Sequence, residues 1–237
     1  MGVMVSFDDG GHWQSLQLNL PPSPGHDLIV KNDDLVVATH GRSFWVLDDI
    51  SPLRELTPEL AAKSVYLFGP RLAYRTQISY RPAHGEPVGE KPPTGATLYY
   101  YLRTAPQEKA EVKLEILDGH GRVVRLYSSR KQASELPAEA QEEAEEAGGA
   151  VTKEPIPAEA GLNRFTWDLR YQPAAKVSGY SLWEYESGTE GPRALPGNYQ
   201  VRLTAAGETL TAPLEVKLDP RVKTARRETC RVNLTSQ

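Results

Sequence analysis

The chain has 237 residues, 39% of them hydrophobic and 24% charged, which allows one or two domains around a modest core. A net charge of −4 lacks the basic footprint of a nucleic-acid binder, and the single cysteine, Cys230, rules out an intramolecular disulfide and a cysteine-based metal site. No stretch approaches the ~18 consecutive apolar residues of a membrane span, and no basic-then-apolar signal peptide is visible in this chain.

The first predicted element is a hairpin. Val3 and Val5 end an incoming strand, and Gly10-Gly11 supply the positive φ that a tight connection needs. Ser6, Asp8, Gly10 and Trp13 fall in the pattern S-x-D-x-G-x-x-W. At that spacing Asp8 accepts backbone N–H groups across the turn, and Ser6 does the same more weakly. Asp8 is therefore read as a turn lock rather than a catalytic carboxylate. Trp13 starts the outgoing strand, with its ring expected between neighbouring sheets.

Residues 27–31 and 34–39 read as strands joined by Asn32-Asp33, good two-residue hairpin chemistry. Gly41 turns the chain, and Ser43 to Leu47 forms another strand. With Trp13 onward, these are roughly the strands of one blade-sized sheet. The loop at His40-Gly41-Arg42 has two readings. Arg42 pairs with Asp48 or Asp49, or it faces a ligand and holds an anionic or sugar group. Ser51-Pro52 and Thr57-Pro58 are N-cap and first-turn pairs, predicting short helical turns across 51–63. Val65 to Phe68 is a short strand, and residues 81–96 read as a Pro/Gly-rich loop.

The C-terminal half is β by pattern. Thr97 to Arg103 is a strand with Tyr99, Tyr100 and Tyr101 on alternating faces. Val112, Leu114 and Ile116 alternate with Lys113 and Glu115, and the chain turns at Asp118-Gly119-His120-Gly121 to return over Arg122–Tyr127. Phe165, Trp167 and Leu169 share one face of the next strand. Tyr199, Val201 and Leu203 alternate before Ala206-Gly207, and Leu210, Leu214, Val216 and Leu218 after it; Pro213 marks an edge or bulge. Such short strands with turn signals between them favour an Ig-like sandwich. The Ala/Glu-rich stretch near 130–160 reads as an exposed helix or loop. His26, His40, His84 and His120 lie far apart in sequence and lack any recognised ligand spacing, so no metal site is expected.

The octet Ser6–Trp13 resembles the Asp-box, or BNR repeat, of sialidase-like and sortilin-like β-propellers, with His12 where that family usually has Thr. His26-Asp27-Leu28 and the run from Thr39 to Arg54 are similar to the closing blade of large bacterial Asp-box proteins of the "glycosyl hydrolase" type, and the likeness extends over most of residues 3–220. It implies an all-β chain: a partial β-propeller (a terminal blade over 1–50), a linker over 51–96, an Ig-like β-sandwich over 97–220 with the acidic insertion, and a tail over 221–237. It also implies an extracytoplasmic location, upstream propeller blades as partners, and a glycan or protein as a further one. Neither cofactor nor metal is implied. A glycosidase needs two carboxylates flanking the scissile bond, and one blade does not assemble such a site. The expected role is thus a non-catalytic structural or interaction region. The alternatives are a fragment of a sialidase- or xyloglucanase-like glycoside hydrolase whose active site lies in missing blades, and a carbohydrate-binding module stacking sugars on Tyr180, Trp183 and Tyr185.

Overall fold

The computed structural model describes residues 2–76, 93–107, 110–130, 155–172 and 191–222. It is an all-β protein, 46% strand and 6% helix, with a curled half-barrel sheet. The chain forms two compact units, Met1–Lys63 and Ser64–Gln237.

In the first unit, β1 (Met4–Val5) pairs antiparallel with β2 (Gln14–Ser15). A separate three-stranded sheet holds β3 (Gly25–Lys31), β4 (Asp34–Thr39) and β5 (Phe44–Leu47) in that order. The strands therefore divide between two sheets rather than forming one blade. The β3–β4 turn is made as the sequence predicts: Asn32 and Asp33 both take positive φ, +50° and +67°, the requirement of a type I′ hairpin.

Register decides what each face of this sheet carries. Leu28, Val37 and Trp45 form one row and Val30, Leu35 and Leu47 the next. On that face Leu35 and Val37 are buried, and with Val3, Leu16 and Leu20 they line a narrow groove. The segment carrying β1 and β2 thus covers the middle of this face. The opposite face carries Ile29, Val36 and Val46 in one row and Ala38 and Phe44 in another. It is bare: Ile29 is 60%, Val46 53% and Phe44 73% exposed. All seven residues of β3 are exposed.

Two short helices follow, α1 (Ser51–Glu55) and α2 (Pro58–Ala61). Thr57 caps α2 as expected, its Oγ1 accepting from Leu60 N at 3.2 Å. Ser51 does not cap α1. The capping position is Ile50, which makes no side-chain bond, and Ser51 lies inside the helix with its hydroxyl donating to Asp49.

In the second unit two sheets enclose one apolar core. One has the order β11 (Gly161–Trp167), β8 (Ala96–Leu102), β6 (Val65–Leu67). The other runs β10 (Val123–Ser128), β9 (Lys113–Leu117), β12 (Gly197–Ala205), β13 (Glu208–Leu218), β7 (Ala73–Arg75). Residues 65–75, within the stretch read as linker, thus contribute a strand to each sheet, and β7 joins β13 in parallel. The period-two pattern places the core as predicted: Leu114, Ile116, Val201, Leu203, Leu214 and Val216 are buried from one sheet, and Leu98, Tyr100 and Trp167 from the other. Leu169 is also buried but lies past the end of β11. It reaches the core through a left-handed kink, φ +56°, rather than by alternation. Pro213 pairs with Gln200 on β12, and β7 reaches only Val216–Leu218 on the far side of β13. The missing N–H therefore falls where β13 is an edge.

The buried amide of Asn163 is one core feature that periodicity does not signal. Its Nδ2 donates to the carbonyls of Glu159 and Gly161, and its Oδ1 accepts from Glu159 N. With its polar atoms satisfied, burial costs little, and the side chain ties the 159–161 loop to the sheet.

Candidate functional site

The turn between β1 and β2 is held by its own side chains. Asp8 Oδ1 accepts from His12 N at 2.7 Å, and Ser6 Oγ accepts from Gly10 N at 2.8 Å while donating to Asp8 at 2.9 Å. The His12 ring bonds the second carboxylate oxygen. These contacts hold the Asp8 carboxyl below the usual carboxylate range, the His12 side chain contributing most, then the His12 amide and the Ser6 hydroxyl. Every Asp8 acceptor atom is spent inside the turn, as a turn lock requires.

Two details of the turn differ from expectation. The positive-φ pair is Asp9 and Gly10, at +54° and +93°, and not Gly10-Gly11. Gly11 serves by leaving space: a Cβ there would lie 2.9 Å from the Asp8 carboxylate. Trp13 is not packed between sheets but is 61% exposed. The hairpin pairs with no further strand among the described residues.

The loop at His40–Arg42 is better ordered than its exposure suggests. Gly41 makes the turn with φ +72°. His40 N donates to Pro24 O at 2.9 Å, Ser23 Oγ donates to His40 O at 2.8 Å, and Thr39 Oγ1 donates to Ser43 O at 2.6 Å. Arg42 forms no ion pair with Asp48 or Asp49 among the described residues. Its carbonyl accepts the Trp45 indole N–H at 2.9 Å, and Asp49 instead accepts from Ser51. The guanidinium is exposed.

Histidines far apart in sequence meet here. His26 Nε2 lies 3.1 Å from His40 Nδ1, and the ring centroids are 5.1 Å apart. A β-bulge brings this about. Gly25 pairs with Thr39 and Asp27 with Ala38, so His26 is the extra residue, and its side chain is turned out of the regular alternation. Spacing along the sequence carries no signal for this contact.

The second unit holds a cleft of about 190 Å³ lined by Arg75, Thr76, Thr94, Asp168, Arg170 and Arg193, with Leu169. A short ladder frames it: Ala194 N donates to Leu169 O, Tyr171 N donates to Pro192 O, and Trp167 Nε1 donates to Arg170 O. Arg75 is buried and donates to Ala194 O, and Arg170 donates to Gly191 O. Arg193 Nη1 is buried without a hydrogen-bond partner among the described residues. Three arginines and one aspartate line the cleft, giving it an excess of positive charge.

Tyr180, Trp183 and Tyr185, the predicted sugar-stacking residues, lie outside the described residues, as do most of the acidic insertion, His84 and Cys230. Of the carboxylates in the first unit, Asp27 bonds its neighbour Leu28 N and Asp33 pairs with Arg54. Among the described residues, no group of three or more His, Cys, Asp or Glu is arranged to hold a metal ion, and no helix is long and apolar enough to cross a membrane.

No protein-family model, curated protein or solved structure matches this chain.

Proposed function

We propose that the chain is a non-catalytic structural and interaction region of a larger Asp-box propeller protein. In this reading residues 1–50 contribute parts of propeller blades, and the second unit is an Ig-like module that spaces or contacts partners. The observation that carries it is the bare apolar face of the β3–β5 sheet, with Ile29, Val46 and Phe44 exposed. The same sheet's other face is covered by the segment bearing the β1–β2 hairpin. A sheet covered over the middle of one face and left apolar and bare on the other calls for a second layer. An adjoining propeller blade is such a layer, and sheet-on-sheet stacking is how propellers bury their blades. The Asp8 turn supports the reading too, since its carboxylate is consumed in holding the hairpin.

The reading frame preceding the Met1 codon tests the proposal directly. Further in-frame S-x-D-x-G-x-x-W octets support it, and their absence overturns it. The purified chain is expected to bind the dye ANS, and the pair F44E/V46E to abolish that binding while leaving the near-ultraviolet dichroism of the second unit unchanged. A chain that binds no dye lacks the docking face. Hydrolysis of fluorogenic glycosides by the chain alone would refute its non-catalytic character.

A further inference from the structure

We propose that His26 and His40 form a binding site for a divalent transition-metal ion. The ring nitrogens His26 Nε2 and His40 Nδ1 are 3.1 Å apart. Metal–imidazole bonds of about 2.05 Å put two nitrogens about 2.9 Å apart at a right angle and about 3.3 Å apart at the tetrahedral angle. The observed separation falls between these values, so an ion replaces the N–H···N contact with movements of a few tenths of an ångström. Both side chains are exposed, which lets the rings tilt until both lone pairs converge and leaves the remaining coordination positions to water.

The backbone around the pair is already fixed. The bulge at His26 aims that ring toward β4. His40 is held through both its backbone groups, its N–H by Pro24 O and its carbonyl by Ser23 Oγ. The backbone therefore needs no reordering on binding. Metal entry also needs no net loss of a proton from the neutral pair. The bridging proton leaves its nitrogen, and that ring takes the tautomer protonated at its other nitrogen. Two imidazoles and waters form an open set of borderline ligands, for which copper(II) binds ahead of nickel(II) and zinc(II). The site is independent of the proposed docking role, since it uses neither the bare face nor the Asp8 turn.

The test titrates the untagged full chain with copper(II) chloride, read by calorimetry and electron paramagnetic resonance. One ion per chain with nitrogen hyperfine structure is expected. H26Q and H40Q each abolish that signal, while the triple variant H12Q/H84Q/H120Q retains it. Metal-free melting curves of the single variants should match the parent, because both side chains are exposed. Zinc added to nitrogen-15-labelled parent chain gives a mutation-free reading: the His26 Nε2 and His40 Nδ1 resonances should shift together. Copper binding that persists in H26Q/H40Q, or zinc that leaves both resonances in place, would overturn the proposal.

Discussion

Glu115 on β9 and Arg202 on β12 face each other across the five-stranded sheet in a forked pair, Nε to Oε2 at 2.6 Å and Nη2 to Oε1 at 2.8 Å. Arg202 is the better exposed of the two, at 37% against 18%, so solvent screens the pair and its worth is about 0.5–1 kcal/mol. The fork sets its character: two parallel N–H···O bonds need the planar guanidinium. R202K keeps the charge and loses the fork, and is expected to fall nearly as far as R202A. A double-mutant cycle in urea should return a coupling of about 1 kcal/mol or less. R202K as stable as the parent would show that charge alone matters.

Trp167 is fully buried, meets Tyr199 edge to face at 5.3 Å between centroids, and donates its indole N–H to Arg170 O at 3.0 Å. It joins the core to the loop that frames the arginine-lined cleft. W167A is expected to cost about 3–5 kcal/mol by loss of packing, a large share of a typical stability of about 5–15 kcal/mol. W167F keeps most of the volume but loses the indole hydrogen bond to Arg170 O, at about 0.5–1.5 kcal/mol. Chemical denaturation followed by near-ultraviolet dichroism checks the order. Equal losses for the two variants would place all of the cost in the hydrogen bond.

The local chemistry of the chain was legible where one short segment decides the outcome. Asn32-Asp33 and Ala206-Gly207 announce two-residue turns, and all four residues have positive φ. Alternation around Leu114, Val201 and Leu214 found the inward faces because each strand is covered on one side only. Long-range pairing was not legible. The parallel contact of β7 with β13 and the split of the N-terminal strands into two sheets depend on which edges meet, and the sequence of a single strand does not record that. His26 illustrates the limit for the site. One extra residue in β3 breaks the period-two count, so a histidine pair arises that no spacing rule detects. Trp13 shows the converse error, an aromatic assigned to an interior that the hairpin does not provide.

Ala206 holds a left-handed conformation, φ +51°, beside Gly207 at +79° in the β12–β13 turn. A Cβ in this region costs about 1–2 kcal/mol, and glycine avoids that cost while adding freedom to the unfolded chain. The turn is exposed, so no packing is lost. A206G is expected to stabilise the second unit by about 0.5–1 kcal/mol, the net of the two effects, and Asn at this position should also be tolerated. Thermal unfolding measures it. A lower melting temperature for A206G would mean that the turn is not strained at this position.

Carboxylates held below their ordinary pKa tie the stability of the fold to acid. Asp219 receives bonds from the Arg221 guanidinium at 2.9 and 2.6 Å and from the Arg221 amide at 2.9 Å, which bring its pKa down to about 2, the Arg221 side chain contributing most. Asp8 is lowered in the same direction by His12 and Ser6. A carboxylate with a lower pKa folded than unfolded stabilises the fold fully above the unfolded value of about 3.8. That contribution is lost as the pH falls from there through the folded value, for Asp219 about 2. Carbon-13 titration of the side-chain carboxyls should find Asp219 still ionised at pH 3. R221A should return it toward 3.8, the ordinary aspartate value, and leave Asp8 unmoved, because the two are lowered by different partners. In the same series D8N should speed hydrogen exchange at the His12 amide without changing the melting of the second unit. If Asp219 titrates near the ordinary value in the parent chain, the Arg221 clamp is open in solution and no acid-labile stability resides there.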